Sequence, residues 1–160
     1  MTDKIKILTI SDHPLYPSGV GTQTRYMIEA LLESGKFSVV SLAGAMHHQD
    51  FEPKWVKKDW LAIPVKDYGD QNTVKQAISQ FSPDMLWFMT DPRFYEWLWM
   101  IEDEIRPEMP MVYYHVWDNY PYPYFNGKFY ASNDAVVSIS RVTNNIVKEV
   151  SPEVDLYHIP

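Results

Sequence analysis

Strand-length apolar runs alternate with helix-length amphipathic stretches along almost the whole chain, and few architectures accept that order. Residues 5–11 are apolar at Ile5, Ile7, Leu8 and Ile10 and read as a buried first strand. A glycine-containing loop (12–21) follows, then a stretch (22–34) with Met27, Ile28, Ala30, Leu31 and Leu32 at helical spacing, stopped by Ser34-Gly35. Further strands are expected over 37–42, 61–65, 85–89, 111–116, 135–139 and 155–159. Helices are expected over 72–81, with Asn72 as cap, from Asp91-Pro92 to about Ile105, and from a cap at Ser140 to about Val150. Such alternation predicts an α/β chain with a doubly wound parallel sheet in three α/β/α layers, one domain over 1–160. In such a sheet ligands sit where the strands end and loops converge. The residues to weigh are therefore those of segments 12–22, 43–48, 90–93, 115–126 and 140–141.

Composition narrows the function classes. The chain has 160 residues, 46% of them hydrophobic and 22% charged, which is enough for one core and unlike disorder. Its net charge is −7, and the densest basic cluster, Lys54, Lys57 and Lys58, is interrupted by Trp55 and Val56. Nucleic-acid binding needs concentrated Lys and Arg to displace counterions, so it is set aside. The absence of cysteine excludes disulfides, thiolate metal sites and cysteine nucleophiles. No secretory apolar region follows Met1, and the apolar aromatic stretch 94–101 is too short to span a bilayer. A cytoplasmic protein is expected, with a peripheral membrane association left open.

The loop before the first helix reads Asp12-His13-Pro14-Leu15-Tyr16-Pro17-Ser18-Gly19-Val20-Gly21-Thr22-Gln23. Gly19 and Gly21 let backbone approach a ligand, and the helix N-terminus adds positive dipole character. A P-loop would need Gly-Lys-Ser/Thr, and Gly21 is followed by Thr22-Gln23. A dinucleotide fingerprint would need glycine at 24, which is Thr24, and an acid where Leu42-Ala43-Gly44 stands. A turn requiring glycine for its backbone angles explains the pair equally well.

Several segments, taken in order, resemble family-4 glycosyltransferases of the GT-B fold. Ile7-Leu8-Thr9-Ile10-Ser11, then Pro17-Ser18-Gly19-Val20-Gly21-Thr22-Gln23, then Tyr26-Met27-Ile28-Glu29-Ala30-Leu31 looks like that family's opening strand, glycine loop and helix. Ser18 stands where many members have glycine. Ser82-Pro83-Asp84-Met85-Leu86 resembles the approach to a central strand, Val136-Val137-Ser138-Ile139-Ser140 a strand ending before a helix, and Tyr157-His158-Ile159-Pro160 the strand leading toward a second domain. The resemblance implies a Rossmann-like, acceptor-side amino-terminal domain. It implies a nucleotide-sugar donor, an acceptor of unknown identity, and a second Rossmann-like donor-binding domain in cis or in trans, absent from this chain. Gly19, Val20 and Gly21 would face the donor diphosphate, and His115 would orient the transferred sugar in a retaining reaction, serving as the catalytic residue. Asp118, Ser140 and Arg141 would join the cleft, and Tyr16, Trp117 and Tyr120 would line the acceptor side. No cofactor and no metal are implied.

Read without the resemblance, His115 at a strand end is either a functional hydrogen-bonding group or a structural histidine satisfied by its surroundings. His47, His48 and Asp50 lack the spacing of a metal site and read as an acceptor contact or a surface loop. Asp91 reads as a helix cap, whereas Asp12 and His13 stay ambiguous. No Gly-x-Ser-x-Gly elbow exists. The segment 113–130 concentrates Tyr113, Tyr114, Trp117, Tyr120, Tyr122, Tyr124, Phe125, Phe129 and Tyr130. Tyr113 and Phe129 are expected in strands and in the core, while Trp117, Tyr120 and Tyr122 divide evenly between core and binding surface. Trp97 and Trp99 flank Leu98, and the three cannot all face inward, so one is expected to mark a covered surface. A contiguous exposed patch of Tyr16, Val20, Trp117, Tyr120 and Tyr122 would fit half of a cleft, or a homodimer. The alternative to an enzyme part is a non-catalytic binding or interaction module that keeps the fold.

Overall fold

The computed structural model describes residues 3–46 and 52–160. His47, His48 and Asp50 therefore lie outside the described residues. The chain divides into two compact units, Met1–Leu86 and Trp87–Pro160. The described residues form eight strands, mostly parallel, and six α-helices in the alternating order the sequence predicts. This is the expected α/β, Rossmann-like fold class.

In the first unit, β1 (Ile5–Asp12) pairs parallel with β2 (Phe37–Gly44), and β2 pairs parallel with β4 (Trp60–Pro64). The outer strand β3 (Lys54–Lys57) pairs antiparallel with β4. β3 escapes sequence analysis because it buries almost nothing, so it carries no apolar pattern. Its two lysines suit an edge, where charge discourages pairing with other chains. Ile7, Leu8, Ile10, Val39, Leu42, Trp60 and Ala62 are buried together with Ile28 of α1 (Gly19–Glu33) and Val74 and Ala77 of α2 (Gln71–Phe81). α1 starts three residues before the predicted position, because Ser18 caps it: its Oγ accepts the Gly21 N–H at 2.9 Å. The cap of α2 is Asp70, not Asn72. The Asp70 carboxylate accepts from the Thr73 N–H at 2.8 Å, a reach that Asn72, already inside the helix, cannot make.

β5 (Met85–Met89) begins in the first unit and runs into the second, where the strand order continues β6 (Met111–His115), β7 (Ala135–Ser138), β8 (Leu156–His158), with β6, β7 and β8 parallel. The single helix expected after Asp91 is broken into a 3-10 turn (Pro92–Phe94), α3 (Glu96–Trp99) and α4 (Glu102–Ile105). Tyr95 and Ile101 leave helical geometry, at φ −116° and −119°. Both are buried, and the Tyr95 hydroxyl donates to the Met89 carbonyl at 2.8 Å, so tertiary packing overrides the local helical preference. Asp91 caps the turn, as expected, accepting from the Arg93 N–H at 2.9 Å. Trp99 is buried and donates to Asn133 Oδ1, whereas Trp97 is half-buried. Phe129 lies in α5 (Gly127–Ala131), not in a strand, and is half-buried, stacked on Trp99 at 4.8 Å. The last helix, α6 (Arg141–Val150), is capped by Ser140 through the Thr143 N–H, as predicted.

Gly44 at the end of β2 is fixed by crowding. A Cβ there would overlap the Asp67 carbonyl oxygen, which also accepts the Ala45 N–H. Gly44→Ala is expected to lower stability by about 2 kcal/mol or more. Urea unfolding of the variant beside Gly35→Ala is the check. Gly35 has a positive φ, of 72°, but open space around it. It should lose less.

Candidate functional site

Two polar constellations form at strand ends, one in each unit. In the first unit Asp12 ends β1 and is buried. Its Oδ2 accepts from the Ser18 hydroxyl at 2.6 Å and its Oδ1 from the Tyr68 hydroxyl at 2.7 Å. Ser18 thereby links the strand end to the helix cap. Beneath it, the Ser11 and Thr24 hydroxyls meet at 2.7 Å. His13 is buried, and its Nδ1 accepts the Leu15 N–H at 3.1 Å. Burial, reinforced by the charge of Lys54, lowers its pKa, so Nδ1 stays free to accept.

This network changes how the glycine loop reads. A Cβ on Gly21 would come within 2.7 Å of the His13 carbonyl and 3.0 Å of the Tyr16 carbonyl. Gly21 is therefore required by the close approach of the chain's own loop, and its N–H is occupied by Ser18. Gly19 is exposed, with open space where a side chain would go. Val20 and Tyr16 are half-exposed. Tyr16 lines a shallow cleft of about 310 Å³ with Thr22, Arg25 and Tyr26.

In the second unit His115 ends β6 with no exposed surface, and both ring nitrogens are occupied. Nδ1 lies 2.9 Å from the Tyr113 hydroxyl and Nε2 2.7 Å from the Tyr130 hydroxyl. The partners fix the tautomer. Tyr113 has one hydroxyl hydrogen and donates it to the Thr90 carbonyl at 2.6 Å. Tyr113 must therefore accept from His115, so Nδ1 carries the proton. Nε2 then accepts from Tyr130, whose oxygen receives the Asn126 amide at 3.4 Å. The result is a directed chain from Asn126 through Tyr130, His115 and Tyr113 to Thr90. Burial pushes the His115 pKa down to about 3, against a small opposing effect of Asp91, and pushes Tyr130 up to about 12. The ring is neutral, as the hydrogen bonds require. Thr90 holds φ at 153°, a conformation that β-branched residues rarely adopt, and its carbonyl anchors the chain.

His115 thus presents no free nitrogen to a ligand in this structure. What it does hold is the loop that follows. Trp117 is half-exposed, and Asp118, Tyr120, Tyr122, Tyr124 and Phe125 are exposed. Neighbouring rings meet at steep angles, Tyr120 and Tyr122 at 5.3 Å and 76°, Tyr122 and Tyr124 at 6.1 Å and 61°. Trp117 meets Phe125 at 6.0 Å, and the Tyr124 hydroxyl donates to Glu149 Oε1 at 3.0 Å. One end of this loop is the His115 strand, and the other enters α5, whose Tyr130 bonds His115. Ser140 and the exposed Arg141 begin α6 beside the same strand end, where the Ile139 N–H donates to the His115 carbonyl at 3.1 Å.

Tyr113 was legible as a partner, since residues two apart in a strand share a face. Tyr130, Asn126 and Thr90 had no sequence signal, and neither did Tyr68 beside Asp12. Among the described residues no group of acids and histidines is placed to hold a metal ion. No helix among them is long and apolar enough to cross a membrane. No protein-family model matches the chain, and no curated protein matches it.

Two measurements check this geometry. A histidine kept neutral when folded, with its pKa below the unfolded value near 6.5, makes the unfolded state the better proton acceptor between pH 6.5 and 3. Stability should fall with pH through that window, by up to about 1.4 kcal/mol per pH unit from this group. His115→Gln, compared with the unaltered chain by urea unfolding at pH 7, 6, 5 and 4, should be less stable at pH 7 and show a shallower loss on acidification. Ser138, the register partner of His115, buries a hydroxyl with no hydrogen-bond partner among the described residues. Ser138→Ala should therefore raise stability by about 1 kcal/mol in the same assay.

Proposed function

We propose that the chain is the acceptor-binding part of a nucleotide-sugar-dependent glycosyltransferase, and that the aromatic loop 117–125 is where a saccharide acceptor docks. One observation carries the reading: a run of exposed aromatic rings follows a parallel strand whose end is locked by a buried, fully bonded histidine. Aromatic faces stack on the apolar faces of sugar rings while tyrosine hydroxyls bond their hydroxyl groups. A loop held at both ends by one hydrogen-bond chain would present those faces with little ordering cost on binding. In this reading His115 is a positioning residue. The donor would be held chiefly by a second Rossmann-like domain, in cis or in trans. The opening glycine loop would offer the donor diphosphate the exposed backbone at Gly19 and Val20, since the N–H of Gly21 already serves the Ser18 cap.

A second reading, a non-catalytic binding module of the same fold, is favoured by the closure of His115, because no other histidine stands at the end of that strand. Both readings place a saccharide on the aromatic loop and differ in turnover. The 160-residue chain is expected to bind members of an oligosaccharide panel, followed by ligand-observed NMR. Tyr120→Ala and Tyr122→Ala should weaken that binding by about ten-fold, corresponding to about 1.4 kcal/mol. The chain is expected to transfer no sugar from a nucleotide-sugar by itself. Binding unchanged in both variants, or no binding across the panel, would remove both readings. Transfer dependent on a complementing donor-binding domain would select the first.

A further inference from the structure

A second cavity lies in the first unit at the opposite ends of its strands, away from the strand-end loops considered above. It has a volume of about 360 Å³ and is lined by the amino-terminal halves of β1 and β2, the β3–β4 turn and the end of α2. Its walls include Val40, Phe81 and Pro83, and Trp55 stands at it with 64% of its surface exposed. On the edge strand β3 this indole adds an open apolar face to the rim of the cavity. The cavity's charges do not cancel. Its one carboxylate, Asp59, is engaged by Lys4 at 2.6 Å. Lys6 and Lys58, also lining it, are exposed and have no ion-pair partner among the described residues. Asp84, nearby, is turned to the Lys6 backbone N–H at 2.8 Å. An apolar wall, an open indole and two ammonium groups without an ion-pair partner among the described residues leave the lining with an excess of positive charge, on a chain whose net charge is −7.

We propose that this cavity binds a small amphipathic anion, a ring-sized apolar body carrying one phosphate or similar acidic group. Trp55 and Phe81 take the apolar body, and Lys6 and Lys58 take the acid. The volume suits a ligand of one or two rings, at the small end of pockets that enclose such molecules. Binding needs both halves: two exposed lysines hold a free phosphate weakly because water screens them, and an uncharged ring forfeits the charge-assisted hydrogen bonds.

The probe is 2-naphthyl phosphate, titrated into the full chain by calorimetry, beside 2-naphthol, inorganic phosphate and phosphatidylserine vesicles. Saturable binding of naphthyl phosphate is expected, weakened at least about ten-fold by Trp55→Ala and by the Lys6→Gln, Lys58→Gln double substitution, and largely kept by Trp55→Phe. Naphthol and inorganic phosphate should each bind far more weakly. These side chains are exposed, and circular dichroism should show the variants folded. Binding that persists unchanged in the variants, or no binding of naphthyl phosphate, overturns the proposal. So does vesicle binding that depends on Trp55 while naphthyl phosphate is ignored, which would make the patch a membrane contact. Self-association abolished by Trp55→Ala in light scattering, with no ligand bound, would make it a contact between copies and equally overturn the site. The test is independent of the aromatic loop, since Tyr120 and Tyr122 play no part in it.

Discussion

A parallel strand that ends in the interior must match its buried polar groups without help from water or lose stability, and this constraint organises β1 and β6. The Ser138 hydroxyl at the end of β7 is left unmatched among the described residues. β1 is buried from Ile7 through Asp12, yet three of those six residues, Thr9, Ser11 and Asp12, are polar. Each is matched. Thr9 donates to Ser41, which also receives the Trp60 indole N–H at 2.9 Å; Ser11 meets Thr24; Asp12 receives Ser18 and Tyr68. β6 repeats the pattern with Tyr113 and His115. An unmatched group in such a place costs about 1–3 kcal/mol, so each bond matters more for what its loss would cost than for what it adds.

The consequences differ between the two strand ends. At Asp12 the network reaches the helix that follows, so the cap of α1, the close approach at Gly21 and the carboxylate become one structural unit. At His115 it reaches across a long loop to α5 and back to the strained carbonyl of Thr90. The first arrangement uses up the N–H that a phosphate would want at Gly21. The second uses up both nitrogens of the histidine that would touch a sugar. In each case the residue that the resemblance assigns to a ligand is engaged by the chain's own groups, while its neighbours stay exposed or half-exposed: Gly19, Val20 and Tyr16 in one unit, Trp117, Asp118, Tyr120, Tyr122, Tyr124 and Phe125 in the other.

The aromatic excess of the chain divides along the same line. Tyr113 stacks on Phe88 at 5.0 Å and meets Trp99 edge-on at 5.3 Å, while Tyr95 closes the cluster, so these rings supply core area. The Tyr and Phe residues of 120–125 supply surface. Tyrosine serves both purposes because its hydroxyl can be matched inside, as at Thr90 and Met89, or left to water or a partner outside.

Periodicity and end signals by themselves determined the α/β class, the order of seven of the eight strands, and the caps at Asp91 and Ser140, because these depend on residues only a few positions apart. They did not reveal β3, whose exposed edge leaves no apolar pattern, nor the breaks at Tyr95 and Ile101, where side chains are drawn into a cluster with residues far along the chain. The glycine loop and His115 were visible as candidates, since strand ends are readable locally. Their chemistry was not, because a hydrogen-bonding group is defined by its partners. Tyr68 stands fifty-six residues from Asp12, and Tyr130 fifteen from His115. Only the folded chain decides which nitrogen carries the proton and which N–H is already taken.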